Sequence, residues 1–390
     1  MEEKRPRALM MASVASMIDL FNTENVAILR ELGCDVDVAA NFEEGSITSQ
    51  ERVDAYRREL DAAGIGVTHL PVPRSLTRVG DILRSYRLLR RLAEEKDYDL
   101  VHCHSPIGGV ICRMAFRKAR KRGTKMLYTA HGFHFFRGAP KKAWLLYYPA
   151  EKFCSRFTDV LITINREDTE AAKRLHADRV VYVPGVGIRT ADFADAGKNR
   201  AALRASLGFA EDDFVFMSAG QLSVRKNHET VLRALAALDD PHIRYVIAGF
   251  GELEARLREL TRSLGLEDRV VFAGYRQDVR ELLCASDAFV FPSKQEGLSV
   301  ALMEAMAAGL PVVCSRIRGN TDLIEDGRGG LLCDPDDAAA FAEAMKQVIA
   351  GGREEMRRVN LERIRSFDVS VVREKMRALY ESVLTARENT

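Results

Sequence analysis

Two glutamates with seven residues between them flank the start of a short helical segment, and their chemistry fits a phosphorylated sugar. Glu296 stands in a loop, and Glu304 lies more than one turn into the helix that follows. The backbone N–H groups of Gly297, Leu298 and Ser299 would be unpaired at the helix start, at the positive end of its dipole, which favours a phosphate. Each carboxylate could then accept paired hydrogen bonds from sugar hydroxyls.

The surrounding sequence predicts the elements that must position these groups. Ala288–Phe291 is an apolar run typical of a buried strand, and residues 299–308 carry apolar side chains at helical spacing. Gly309 and Pro311 end this helix, and residues 312–314 form the next strand. A strand–loop–helix–strand unit implies a parallel pair of strands.

The stretch PSKQEGLSVALMEAMAAGLPVV resembles the signature of the retaining glycosyltransferases of family four. The resemblance implies the GT-B fold, an α/β fold of two Rossmann-like, doubly wound parallel-sheet domains facing a cleft. It also implies that Glu296 contacts the donor sugar and has a catalytic role. Glu304 would bind the nucleotide ribose, and residues 297–299 would bind the donor.

A second segment resembles the diphosphate-binding part of the same family. Gly220 and Gln221 begin the run GQLSVRKN, which is similar to the family's Gly-Arg-Leu-Ser-x-x-Lys. Lys226 matches the family lysine, whereas Gln221 stands where most members have arginine. We predict that Arg225 compensates for the missing arginine at position 221, because its guanidinium can donate two parallel hydrogen bonds to phosphate oxygens.

Further donor-binding positions follow from two glycine-containing turns. Gly249 and Gly251 superficially match a dinucleotide fingerprint, but Glu254 occupies the sixth position, which argues against a Rossmann dehydrogenase. In the glycosyltransferase interpretation these glycines let the backbone approach the nucleotide. Tyr275 and Arg276 end the next strand and would lie beside the base.

The first half of the chain contributes His131. It lies in the run YTAHGFHFF and matches the family histidine that contacts the donor sugar near the reacting centre. The longer run around it, with TDVLITINREDTEAAK and VPGVGI, resembles a narrower group that builds exopolysaccharide or capsule repeat units on a lipid carrier. That resemblance implies a cytoplasmic enzyme at the inner face of the cell membrane.

Alternating strands and helices predict two doubly wound domains. We place the acceptor-side domain at residues 1–187 and the nucleotide-sugar domain at 188–369. By the family resemblance, a final helix within 370–390 returns to the first domain. Residues 13–21 are predicted to be a loop before the first helix.

Composition supports an ordinary soluble protein. The 390 residues are 47% hydrophobic and 29% charged, with a net charge of +2. The seven cysteines show no metal-ligand or redox spacing, and no apolar run is long enough to span a bilayer. His102 and His104 could suggest a metal site, but no further ligands can be named nearby. No Asp-x-Asp pair lies in a fitting loop, so we expect no metal and no cofactor.

A basic cluster suggests a lipid surface. It comprises Arg113, Arg117, Lys118, Arg120, Lys121, Arg122 and Lys125, with Phe116 and the segment Trp144–Tyr148 as apolar partners. Anionic lipid would attract such a cluster, although a solvated helix face is the alternative. No nucleic-acid-binding motif accompanies the charge.

The sequence therefore predicts a retaining, metal-independent transferase. The donor would be a UDP-sugar, with N-acetylhexosamine as the sugar, and the acceptor a polyprenyl-diphosphate-linked saccharide. A UDP-N-acetylhexosamine 2-epimerase on the same fold and a non-catalytic lipid-surface adaptor remain the alternatives.

Overall fold

The computed structural model describes residues 5–194 and 196–388, with the side chains of 387 and 388 excepted. The predicted outer ends of the first domain at residue 1 and of the last helix at residue 390 lie outside these residues. The chain divides into two compact units. The first unit joins the chain up to Val186 with the segment from Ser370 onward, and the second is Gly187–Val369.

The first unit is built on a parallel sheet, which has seven strands among the described residues. Its strands are β1 (Arg7–Val14), β2 (Asp35–Asn41), β3 (Gly66–His69), β4 (Leu100–His104), β5 (Lys125–Ala130), β6 (Val160–Thr163) and β7 (Arg179–Tyr182). The strand order is β3-β2-β1-β4-β5-β6-β7, and every neighbouring pair is parallel. Central strands such as β4 are buried throughout, as expected for a sheet covered on both faces.

Helices cover both faces of this sheet. They are α1 (Ala15–Phe21), α2 (Thr23–Glu31), α3 (Gln50–Ala62), α4 (Val79–Glu95), α5 (Pro106–Arg120), α6 (Lys141–Cys154) and α7 (Arg166–Ala172). The prediction of a loop over residues 13–21 was wrong, because α1 begins directly after β1. Ala15 and Ile18 of α1 are buried in the core, and this packing stabilises a helix of only two turns.

The second unit repeats the architecture with six strands among the described residues. They are β8 (Phe214–Ala219), β9 (Ile243–Ala248), β10 (Val270–Gly274), β11 (Ala288–Phe291), β12 (Val312–Ser315) and β13 (Gly330–Cys333). The order is β10-β9-β8-β11-β12-β13, again parallel. Its helices are α8 (Arg200–Ser206), α9 (His228–Ala236), α10 (Glu254–Ser263), α11 (Val279–Ala285), α12 (Val300–Ala307), α13 (Asn320–Leu323), α14 (Ala338–Ala350) and α15 (Arg353–Ile364).

In each unit the strand order reverses at one point, beside the first strand. This switch point lies between β1 and β4 in the first unit and between β8 and β11 in the second. Loops that leave the carboxyl ends of such strands diverge, and the crevice between them is where open α/β sheets bind ligands. The loops after β8 and β11 carry Gly220 and Glu296, two of the predicted site residues.

The C-terminal helix, Val369–Glu388, belongs to the core of the first unit from Ser370 onward. Val372, Met376, Leu379 and Tyr380 pack in the same cluster as strand residues of β1 and β2. The hydroxyl of Tyr380 lies 2.7 Å from Nδ1 of His102 on β4. Packing and a buried hydrogen bond therefore hold this helix to the first sheet.

Two members of the predicted lipid-facing cluster are core residues, which corrects that part of the prediction. Arg113 is fully buried, donates to Glu151 at 2.8 Å, and lies with its guanidinium carbon 3.9 Å from the ring centroid of Tyr128. Phe116 is also fully buried. The α5 stripe that carries these two side chains faces the sheet, because residues three apart share one face of a helix.

Candidate active site

Glu296 is a buried carboxylate held by two cations. Its carboxylate accepts hydrogen bonds from Nζ of Lys226 at 2.8 Å and from Nη1 of Arg225 at 3.2 Å. The Ser293 hydroxyl donates to the same carboxylate at 2.6 Å. Glu296 is 7% exposed, so the loops after β8 and β11 bring three predicted site residues into one cluster, which we call the carboxylate cluster.

The electrostatics of this cluster keep Glu296 ionised. Burial alone would raise the pKa of the Glu296 carboxyl, but the charges of Lys226 and Arg225 and the hydrogen bonds of Lys226 and Ser293 hold that pKa below its usual value. The Lys226 ammonium also lies 4.6 Å from the ring centroid of Phe291, at the end of β11. Lys226 is largely buried, whereas 46% of the Arg225 side chain is exposed.

Backbone contacts fix the two loops against each other. The N–H of Lys294 donates to the carbonyl of Arg225 at 2.8 Å. Asn227, in the left-handed conformation with φ of 58°, donates its side-chain amide to the carbonyls of Pro292 and Pro335. The position of Lys226 is therefore set by its neighbour Asn227 as well as by its own ion pair.

The N-terminus of α12 lies directly after this cluster. Ser299 is the N-cap, and its hydroxyl accepts from the N–H of Leu302 at 3.3 Å. Within the described part of the chain, the N–H groups of Gly297, Leu298 and Ser299 donate to no protein acceptor. These N–H groups are unpaired in that part of the chain, as the sequence predicted, and a phosphate bound to them at the positive end of the helix stays a prediction.

Glu304 shows the opposite behaviour to Glu296. It lies on α12, is half-buried, and has no ion-pair or hydrogen-bond partner among the side chains that the structure describes. Burial raises the pKa of its carboxyl to about 7, against the smaller opposing effect of the charge of Arg280. A carboxyl with a pKa of about 7 and no protein partner can form a hydrogen bond with a ligand hydroxyl whether it is protonated or ionised.

The glycines of the predicted donor site serve contacts between loops. A Cβ at Gly249 would collide with the carbonyl oxygen of Gly220, and a Cβ at Gly251 would collide with that of Leu222. The N–H of Gly220 donates to Ala248, so the loops after β8 and β9 lie side by side. The close approach that requires glycine here is to a neighbouring loop of the protein itself.

Three predicted donor-binding residues lie on the rim of these loops. Gln221 is exposed, and its amide nitrogen is 3.5 Å from a carboxylate oxygen of Glu252. Tyr275 is 72% exposed, and its ring meets the ring of Phe250 edge-on. Arg276 forms a two-bond ion pair with Asp278 at 2.7 and 2.6 Å. Among the described residues, none of the three forms a hydrogen bond or an ion pair with the carboxylate cluster.

His131 belongs to the first unit, where it follows β5. Its Nε2 lies 3.0 Å from Nδ1 of His104 at the end of β4. Burial lowers the pKa of His131 to about 4, so its ring is neutral at physiological pH. His102 hydrogen bonds to Tyr380 and Thr129, each at 2.7 Å, so its two ring nitrogens already have protein partners.

Sequence reasoning missed the supports of the carboxylate cluster. Arg318 is buried and donates from Nε to the backbone carbonyl of Glu296 at 3.0 Å. Gly319 follows with a φ of 78°, and a Cβ there would collide with the carbonyl oxygen of Gly297. The run Arg-Gly-Asn after β12 was a possible signal, since glycine before a short helix marks a special backbone conformation.

The chain matches two family models over most of its length. Residues 199–363 match "Glycosyl transferases group 1", and residues 22–185 match "Glycosyl transferase 4-like domain". A relative from Bacillus subtilis (strain 168), the candidate glycosyltransferase EpsD, is 42% identical over 68% of this chain and 71% of its own. The UDP-Gal:alpha-D-GlcNAc-diphosphoundecaprenol alpha-1,3-galactosyltransferase of Escherichia coli is 32% identical over 70% of this chain and 72% of its own.

Solved structures show the same fold. Anabaena Alr3699/HepE, crystallised in complex with UDP, superposes with a TM-score of 0.75 at 21% identity, covering 96% of this chain and all of that one. WaaG, a glycosyltransferase involved in lipopolysaccharide biosynthesis, gives 0.68 at 18% identity and covers 96% and 99%. The fold is GT-B, the two-domain architecture of glycosyltransferases. The chain belongs to the group 1 glycosyl transferases of family four and is a glycosyltransferase.

Proposed function

We propose that this glycosyltransferase moves an N-acetylhexosamine from its UDP derivative to a polyprenyl-diphosphate-linked saccharide, with retention at the anomeric carbon. In this proposal residues 188–369 bind the donor and residues 1–187 the acceptor, in exopolysaccharide or capsule assembly. The observation that carries it is the carboxylate cluster. There Lys226 and Arg225 form ion pairs with Glu296, next to the unpaired N–H groups of residues 297–299 at the start of α12.

The chemistry of donor cleavage needs positive charge at the leaving diphosphate. Lys226, Arg225 and the α12 N-terminus supply that charge from the protein, at the switch point of the second sheet. We propose that they act without a divalent metal or any other cofactor. Glu296 would accept a hydrogen bond from a hydroxyl of the donor sugar, and Glu304 would accept hydrogen bonds from the ribose hydroxyls, because a carboxylate has only acceptor oxygens.

The donor and acceptor classes are inferred from relatives and from the sequence resemblance. The Escherichia coli relative is named for a UDP-sugar donor and a diphosphoundecaprenol-linked acceptor. HepE was crystallised with UDP. The test therefore compares several donor sugars.

The deciding experiment is a transfer assay with purified protein and a synthetic polyprenyl-diphosphate N-acetylhexosamine. UDP-GlcNAc, UDP-GalNAc, UDP-Glc and UDP-Gal are compared, and product configuration is read by NMR. We expect transfer from an N-acetylhexosamine donor with retention, and essentially unchanged rates in excess EDTA. Epimerised donor without acceptor would instead support the epimerase, and EDTA inactivation reversed by magnesium would overturn the metal-free mechanism.

We also propose that the protein meets its lipid-linked acceptor at an anionic membrane through α6. This helix exposes Trp144, Leu145, Leu146 and Phe153, with 81% of Leu145 accessible. Exposed Lys141, Lys142 and Lys152 flank them. An exposed helix surface that combines apolar side chains with lysines is suited to lie in a lipid interface. Among the described residues, no helix is both long and apolar enough to cross a bilayer.

Vesicle sedimentation tests this surface. We expect binding to vesicles with anionic lipid that weakens with salt, and loss of binding in Leu145→Glu. Leu83→Glu is the matched control, because Leu83 is also exposed in the first unit, on α4. Equal losses in both variants, or binding independent of lipid charge, would contradict an α6 docking surface.

A further inference from the structure

His131 has a histidine behind it whose surroundings decide where both rings carry their hydrogen. His104 ends β4 and is 1% exposed. One of its ring nitrogens, Nδ1, lies 3.0 Å from Nε2 of His131, and the other, Nε2, lies 3.2 Å from the sulfur of Met10 on β1. These contacts lie within the first unit, at its switch point between β1 and β4.

The hydrogen on His104 can be assigned from these contacts. Burial lowers the pKa of His104 well below its usual value, and the neighbouring histidines lower it further, so the ring is neutral with a single N–H. A thioether sulfur accepts weakly and has no hydrogen to donate. The N–H of His104 is therefore Nε2–H, directed at Met10, and Nδ1 is left as an acceptor.

That assignment fixes the direction of the bond to His131. If Nδ1 of His104 accepts, then Nε2 of His131 must donate across the 3.0 Å contact. His131 is also neutral, so its other nitrogen, Nδ1, holds a lone pair and no hydrogen. Nδ1 has no protein partner among the described residues, and the side chain is partly exposed after β5.

We propose that His104 is a positioning residue that holds His131 in its Nε2–H tautomer, so that His131 offers its ligand an acceptor and no donor. The ligand group at this point must bring its own hydrogen. A sugar hydroxyl fits, whereas a carboxylate does not, since it has only acceptor atoms at neutral pH. This rests on the proposed function and deepens it: the donor carries a hydroxyl at the position that meets His131, and a donor with a carboxylate at that position, such as the matching uronic acid, is rejected.

Nitrogen-15 NMR of the full-length protein tests the tautomer without substrate. With ¹⁵N-labelled histidine, long-range ¹H–¹⁵N correlations distinguish a protonated from an unprotonated ring nitrogen. His131→Gln identifies the resonances of His131 by their loss. We expect His131 protonated at Nε2 throughout pH 6 to 8, and a hydrogen on Nδ1 would overturn the inference.

Two substitutions test the origin of the tautomer. Met10→Leu is nearly volume-conserving, so the fold should tolerate it, but it removes the sulfur that favours Nε2–H on His104. We expect a mixture of His131 tautomers in this variant and in His104→Leu. Tyr380→Phe is the matched control, because it deletes the buried Tyr380 hydroxyl that is hydrogen-bonded to His102 and leaves the His104–His131 pair intact. An unchanged tautomer in Met10→Leu would overturn the role of the sulfur.

Specificity is the functional readout, measured as kcat/KM for a neutral UDP-sugar relative to its uronic acid. We expect this ratio to fall about tenfold in Met10→Leu, because a share of His131 can then donate to a carboxylate. A fall in both rates with an unchanged ratio would contradict positioning. If no UDP-sugar is turned over, the proposed function fails, while the NMR result still decides the tautomer.

Discussion

The carboxyl ends of the two sheets carry ionisable groups of opposite character. In the second unit, Glu296 is charged because Lys226 and Arg225 lie within hydrogen-bond distance. In the first unit, buried His104 and half-buried His131 are neutral, since burial lowers the pKa of each and neither ring has a carboxylate as hydrogen-bond partner among the described residues. Burial by itself therefore neutralises a group, and burial with a counter-ion preserves its charge.

Glu304 is an internal control for this comparison. It has the same carboxyl chemistry as Glu296 and lies in the same unit, but lacks a partner among the described residues. The pKa of Glu304 is raised to about 7, while that of Glu296 is lowered. The cation pair, more than the sheet or the helix, sets the charge of this site.

The largest expected effect comes from removing the charge of Glu296. Glu296→Gln should lower kcat about 100-fold, since it deletes a preorganised contact to the reacting sugar. Its affinity for UDP should not fall, because Lys226 and Arg225 are released from the carboxylate. Steady-state kinetics and calorimetry measure the two effects. Glu355→Gln, on an exposed ion pair with Arg358, is the control, and near-normal turnover in Glu296→Gln would refute the site.

Arg225 should matter less, because nearly half of its side chain is exposed. We expect Arg225→Ala to reduce kcat/KM by roughly tenfold to a hundredfold, as for a hydrogen bond to a charged group, and Arg225→Lys to recover part of it. Adding Gln221→Arg should restore activity if the two positions share one role. A silent Arg225→Ala would mean that Lys226 and the α12 N-terminus suffice.

The raised pKa of Glu304 leads us to expect that UDP affinity and the free energy of unfolding both depend moderately on pH. As pH rises through about 7, Glu304 ionises, and UDP affinity should increase about fivefold because a charged acceptor binds the ribose hydroxyls more tightly. Its folded pKa lies above the usual 4.5, so the folded state binds more protons and the free energy of unfolding falls from about pH 4.5 to about 7. Glu304→Gln should remove both slopes, and their persistence would assign them to another group.

The smallest effect is expected from removing the hydrogen bond between Tyr380 and His102 in the first unit. Tyr380→Phe removes one buried hydrogen bond to His102 and should lower the free energy of unfolding by about 1 kcal/mol. Thermal or urea unfolding measures that loss. UDP affinity should stay unchanged, because Tyr380 belongs to the first unit. A large loss of UDP binding would show that the two regions are not independent.

Most of the fold was predictable from local patterns. The strands Phe214–Ala219, Ala288–Phe291 and Val160–Thr163 lie where short apolar runs between turn residues predicted them. Helix α1 was missed because it is too short to show a clear period, and its stability comes from buried contacts. Arg113 was assigned to the surface because spacing alone does not reveal a buried partner such as Glu151.

By itself, the amino-acid sequence determined the strand–loop–helix unit, the spacing of Glu296 and Glu304, and the family, because these depend on neighbouring residues. Only the tertiary structure decided which groups are charged. Lys226 and Glu296 are 70 residues apart in the chain, and their nitrogen and oxygen lie 2.8 Å apart in space. Electrostatic energy depends on distance and burial, and both are properties of the packed chain.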